Sequence, residues 1–120
     1  MVDVSVLLPV FNAGRTLAAS LRSMARQSEP AWECVLVDDG SRDDSLEIAR
    51  EHAARDPRIR VEALPHRGLV PALNAGIGLC RGSYIARMDA DDIMHRHRLR
   101  EQLDLMRSDA GLAAAGCHVR

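Results

Sequence analysis

Three aspartates crowd into four positions where an apolar run ends, in Ile85-Ala86-Arg87-Met88-Asp89-Ala90-Asp91-Asp92. Side chains two apart on an extended segment point the same way, so Asp89 and Asp91 are expected to face one site where a buried strand emerges. Converging carboxylates repel each other unless a cation lies between them. Hard oxygen ligands with room left for phosphate suit Mg²⁺ or Mn²⁺. The competing reading is a solvated turn that caps a following helix, and the motif by itself leaves both open.

Two further clusters could do related chemistry, Pro9-Val10-Phe11-Asn12 and Asp38-Asp39-Gly40-Ser41. The second is a strand-to-helix turn with a cap in its plainest reading. In its functional reading, a carboxylate there accepts hydrogen bonds from a base N–H or a ribose hydroxyl, and Gly40 lets the backbone come close. His95 and His97 flank Arg96 near a helix start. Such histidines are expected to be exposed rather than metal-bound.

The elements that must position these residues alternate along the chain. Residues 4–9 read as a short apolar strand stopped by proline, and 16–25 as a helix with Leu17, Leu21, Met24 and Ala25 in period. A second strand at 34–37 leads to a helix at 43–54, with Ser41 and Asp44 spaced as a capping box. A half-exposed strand at 58–64, a helix at 71–80 closing near Gly82, and the acidic strand at 83–88 follow. A helix at 98–106 places Leu99, Leu103 and Met106 on one face, and 112–119 reads as the start of another strand. This alternation predicts an α/β fold, a three-layer α/β/α sandwich around a mostly parallel twisted sheet. Ligands bind such sheets outside the carboxyl ends of the strands, where all three clusters fall. Asp39, Asp89 and Asp91 should therefore line one cleft.

Composition narrows the class. With 120 residues, net charge -1, 28% charged and 47% hydrophobic residues, the chain reads as one soluble globular domain and not as a nucleic-acid-coating protein. No apolar run is long enough to span a bilayer and Met1-Val2-Asp3 opens no leader pattern, so a cytoplasmic protein is expected. Cys34, Cys80 and Cys117 are odd in number and far apart, which favours free thiols. All 16 basic residues are arginine. A P-loop, which needs its lysine, is excluded, and a receiver-type phosphorylation domain is disfavoured.

In order along the chain, V-S-V-L-L-P-V-F-N-A, V-L-V-D-D-G-S-R-D-D-S, G-L-V-P-A-L-N-A-G-I and G-S-Y-I-A-R-M-D-A-D-D-I resemble the successive signatures of family 2 glycosyltransferases, across residues 3–119. The resemblance implies an inverting enzyme of the GT-A fold. It would take a nucleotide-diphospho-sugar, most often UDP-linked, use Mn²⁺ or Mg²⁺, and transfer the sugar to a glycan or lipid-linked acceptor. The wording A-R-M-D-A-D-D is similar to bacterial members that build surface glycans.

By the same resemblance, Pro9, Val10, Phe11 and Asn12 would hold the nucleoside and Asp39 would read the base, while Asp38 supports the turn. Asp89 would meet the ribose or a metal-bound water, Asp91 would ligate the metal directly, and Asp92 would cap the next helix. Asn74 and Gly76 would lie beneath the phosphates. Leu73 stands where relatives have arginine, so Arg67 or Arg87 would supply that contact.

The family's catalytic base follows the acidic motif at a distance, and no candidate follows Asp109. Residues 1–120 are thus expected to be the donor- and metal-binding part of a truncated GT-A domain, inactive alone, with the base beyond Arg120. The longer protein would sit peripherally at the inner membrane. An open sheet edge at 112–119 would pair two copies into a homodimer. One rival reading is a non-catalytic nucleotide-sugar-binding or degenerate structural domain. Another is a sugar nucleotidyltransferase, but residues 9–15 lack the glycine-rich loop with arginine and lysine which that class needs.

Overall fold

The computed structural model describes residues 2–108. Four parallel strands, β1 (Val4–Val10), β2 (Trp32–Asp39), β3 (Ile59–Leu64) and β4 (Tyr84–Arg87), form one sheet in the order β3-β2-β1-β4. The two central strands are mostly apolar and almost wholly buried because both of their faces are covered. β3, at one edge, alternates charge with aliphatic side chains and is half-exposed.

Helices α1 (Leu17–Ala25), α2 (Ser45–Arg55), α3 (Leu69–Leu79) and α4 (Arg98–Ser108) form the outer layers. On one face Leu17, Leu21 and Met24 of α1, Ala49 of α2, and Leu99 and Leu103 of α4 pack on the even-numbered residues of β1 and β2. Each of those large α1 side chains stabilises the fold by about 2 kcal/mol through burial. On the other face α3 seats Ala72 against Leu7, Val35 and Val37. Gly76 lets α3 approach, since a Cβ there would collide with Leu7 and press on Val37. The three-layer α/β/α architecture is therefore present. No helix among the described residues is long and apolar enough to cross a membrane.

Local details depart from the expectations. The proposed capping box does not form: Asp44 makes no side-chain cap bond, and Ser41 Oγ accepts the Asn12 N–H instead (2.9 Å). Asp43 takes the role, its Oδ1 accepting the N–H (2.9 Å) and hydroxyl (2.6 Å) of Ser45. Adjacent aspartates let the cap slip by one residue. α3 starts two residues before Pro71, which falls in the first turn, where its missing N–H costs nothing. Cys34 is buried and Cys80 half-buried, both free, and burial pushes both thiols up. Cys117 and the expected strand at 112–119, with the homodimer built on it, lie outside the described residues.

Candidate functional site

β4 stops at Arg87, its end fixed by Arg98 Nη2 donating to the Arg87 carbonyl (3.1 Å). The acids beyond it do not continue the strand. Asp92 N–H donates to the Asp89 carbonyl (3.0 Å), and Asp89 N–H donates back to Asp92 Oδ2 (3.1 Å), closing a tight turn. This turn, rather than strand alternation, gathers the carboxylates, and it brings in Asp92 as well. Asp92 caps no helix, because α4 begins only at Arg98. One oxygen from each of Asp89, Asp91 and Asp92 lies within 4.8 Å of the others. Three hard oxygens at that spacing fit a divalent cation with positions left for phosphate.

A polar stripe on α1 and its flanks holds this turn in place. Thr16 and Ser20 hydroxyls donate to the Ala90 carbonyl (3.0 and 2.8 Å), Ser23 Oγ accepts the Met94 N–H (2.9 Å), and Gln27 Nε2 donates to the His95 carbonyl (2.7 Å). Positions 16, 20, 23 and 27 share one helical face. Ser20, Ser23 and Gln27 are buried. The i, i+4, i+7, i+11 spacing was visible in the sequence but interrupts an apolar helix, so it did not register as a site. His95 and His97 are exposed, as expected, and bond to Glu101 and Ser28.

The second centre is Asp39 at the end of β2. Its Oδ1 accepts Arg67 N–H (2.9 Å), and its Oδ2 accepts Gly68 N–H (3.0 Å) and pairs with His66 Nδ1 (2.9 Å). The Arg67 N–H foremost, then Gly68 and His66, outweigh burial and hold this carboxyl below the usual range. A carboxylate has about four lone-pair sites, so one on Oδ1 stays open. Gly40 is left-handed (φ 70°), and a Cβ there would lie 2.6 Å from His66 N. The 66–68 loop is thus pressed onto the end of β2. The His66 ring stacks on Phe11 with centroids 4.3 Å apart at 18°. Asp38 turns to the other face, where its Oδ2 accepts Ser41 N–H (3.0 Å), supporting the turn as expected. Asn12, at φ 50°, uses its Oδ1 to accept Arg42 N–H (2.8 Å) and so ties the β1–α1 and β2–α2 loops together.

These centres open onto one cleft of about 530 Å³ at the carboxyl end of the sheet. Pro9, Val10, Phe11, Asn12, Asp39, Asp89 and Asp91 line it, joined by Arg87, His66 and Gly68. The size is that of a small-molecule site. Asn74 does not line this cleft; it is exposed on α3, and Gly76 serves the packing of that helix. His66 and Gly68 went unrecognised because a partnership across 27 or 29 residues has no local signature.

The model of the family described as glycosyl transferase family 2 matches residues 5–120. Chondroitin synthase of Escherichia coli is 36% identical over 110 residues, covering 92% of this chain and 16% of that protein. Among solved structures, S. aureus TarS 1-349 in complex with UDP-GlcNAc superposes with TM-score 0.81 at 25% identity, covering 88% of this chain and 31% of that one. The mannosyltransferase PcManGT of Pyrobaculum calidifontis, in complex with GDP-Man and Mn²⁺, gives TM-score 0.66 at 26% identity over 74% of this chain and 27% of that one. The chain spans less than a third of the length of each.

Proposed function

The chain belongs to glycosyl transferase family 2, and from that premise we propose that its cleft holds the nucleoside diphosphate of a sugar donor for an inverting glycosyl transfer. One observation carries the reading: Asp89 and Asp91, which with Asp92 bring three carboxylate oxygens within 4.8 Å of one another, line one cleft with the stacked Phe11–His66 rings and with Asp39. The nucleoside lies along Pro9, Val10 and Phe11, and the open lone pair on Asp39 accepts a base N–H. A uridine donor is supported by the superposition with TarS bound to UDP-GlcNAc. Asp89 and Asp91 are the residues that would hold Mn²⁺ or Mg²⁺, a reading supported by the Mn²⁺ complex of PcManGT. Such an ion would offset the negative charge that grows on a departing diphosphate.

The acceptor is a glycan or lipid-linked sugar, in keeping with the chondroitin synthase relative. We assign the general base to the portion of the longer relatives that this chain does not match. The chain's own contribution is then to bind and orient the donor, with Arg87 beside the diphosphate.

Calorimetry with UDP, in the presence and absence of Mn²⁺, tests the assignment. Mn²⁺-dependent UDP binding is expected, and Asp91→Ala should remove the metal-dependent part. Equal UDP affinity with and without Mn²⁺ would defeat the role given to Asp91.

A further inference from the structure

Arg87 is the last residue of β4, paired in register with Leu7, and its carbonyl is held by Arg98. Its backbone is therefore fixed while its side chain, 45% exposed, reaches into the cleft and places Nη2 3.2 Å from Asp89 Oδ1. Asp89 belongs to a set of three carboxylates with oxygens within 4.8 Å of one another. A divalent cation held by that set would also take Asp89, and its charge would repel the guanidinium beside it. An exposed ion pair of this kind is weak enough to be broken at small cost. Once released, a side chain on a fixed backbone stays inside the cleft, and its planar fork of donors suits a phosphate.

We propose that Arg87 is an exchangeable counter-ion: it neutralises Asp89 while no divalent cation is bound, and it moves to the donor's diphosphate when one is. The proposal rests on the donor-site reading above and adds a coupling to it. Metal and nucleotide bind cooperatively because the metal frees the group that grips the phosphates. Arg87 is here a positioning and binding residue. It needs no contact with the sugar.

Mn²⁺ uptake followed by the electron paramagnetic resonance signal of the free ion, with and without UDP, tests this on the wild-type chain, Arg87→Gln, Arg87→Lys and Arg15→Gln. Arg15 is exposed on the β1–α1 loop beside the cleft and forms no ion pair among the described residues, so its variant removes the same charge without touching Asp89. Without UDP, Arg87→Gln should bind Mn²⁺ about two- to fivefold more tightly, the strength of one exposed pair. Arg15→Gln should change much less. With Mn²⁺ present, Arg87→Gln should bind UDP about tenfold more weakly, the loss of one charge-assisted bond. Arg87→Lys should keep near wild-type Mn²⁺ affinity and lose part of the UDP affinity. Opposite signs in one variant are the signature, because a misfolded protein would lose both affinities. If the wild type takes up Mn²⁺ and Arg87→Gln matches it, binds it more weakly, or behaves as Arg15→Gln does, the counter-ion proposal falls alone. If the wild type takes up no Mn²⁺ with or without UDP, the donor-site reading falls and this proposal with it.

Discussion

At the amino end of the sheet, Glu33, near the start of β2, is buried and its carboxylate reaches Ser5 of β1 and the turn before β4. The Ser5 hydroxyl (2.5 Å) and Arg81 N–H (2.6 Å) donate to one oxygen, Arg81 Nε (3.3 Å) donates to the other, and Arg60 lies 3.6 Å away. Ser5 Oγ in turn accepts the Gly82 N–H (2.8 Å), which locks the chain entering β4. At the carboxyl end, oxygens of Asp89, Asp91 and Asp92 lie within 4.8 Å of one another where Asp89 and Asp91 line an open cleft, and Arg87 Nη2 lies 3.2 Å from Asp89 Oδ1. Both centres use carboxylates, and what separates them is satisfaction. A carboxylate surrounded by its own chain's donors inside the sheet serves the fold, whereas carboxylates clustered against one another at a cleft are poised for a cation.

Removing the closed centre should have the largest effect. Glu33→Ala leaves a buried hydroxyl and N–H unpaired, and urea denaturation should show a loss of about 3 kcal/mol. Acid should act in the same direction. Burial would raise the Glu33 carboxyl, but Ser5 and Arg81 outweigh it and hold it below the ordinary range. Its contribution is therefore complete above the unfolded-state value and is lost as pH falls through the lower folded-state value. A urea midpoint series should show wild-type stability falling with acidification more steeply than that of Glu33→Ala.

Asp39 belongs to both worlds, since it anchors the 66–68 loop and lines the cleft. Asp39→Ala should cost about 2 kcal/mol, through the N–H groups of Arg67 and Gly68 that it strands, and should separate the Phe11–His66 rings. Hydrogen exchange at those two amides reads the loosening directly. Ser20→Ala removes one of two hydroxyls on the Ala90 carbonyl and should cost about 1 kcal/mol. It should also weaken Mn²⁺ binding, because the acidic turn loses part of its anchor; unchanged Mn²⁺ affinity would show that the α1 stripe does not position the site.

The smallest stability effect, and the one of opposite sign, belongs to the open centre. Asp91→Asn should leave stability unchanged or raise it by about 0.5 kcal/mol, because it relieves like-charge repulsion and disturbs no packing. A loss comparable to that of Glu33→Ala would erase the distinction between the two ends.

What the sequence disclosed follows the range of the interactions. β1 and β2 were legible as apolar runs, α1 and α4 as 3.6-residue patterns, and the clustering of Asp39, Asp89 and Asp91 at one end of the sheet follows from parallel topology. The partners of Glu33 lie 28 and 48 residues away, and those of Asp39 lie 27 to 29 away, so no window could reveal them. Glu33 itself was a clue, a charge placed within W-E-C-V-L-V where both faces are buried. The acidic turn was located correctly but given the wrong geometry, because a D-A-D-D segment can extend or fold, and the choice is made by the hydroxyls of Thr16, Ser20 and Ser23, 70 to 74 positions away.

The contrast between the two ends is tested most directly by nuclear magnetic resonance of the ¹⁵N-labelled chain with a trace of Mn²⁺. Glu33 and Asp39 are separated by roughly 20 Å along β2, at about 3.3 Å per residue, so a paramagnetic ion at one end spares much of the other. The amide signals of Asp89 to Asp92 should broaden beyond detection, with weaker losses at Phe11 and Asn12, while those of Glu33 and Gly82 persist. Broadening centred on Glu33, or spread evenly over the surface acids, would contradict a cation site at the carboxyl-end cleft.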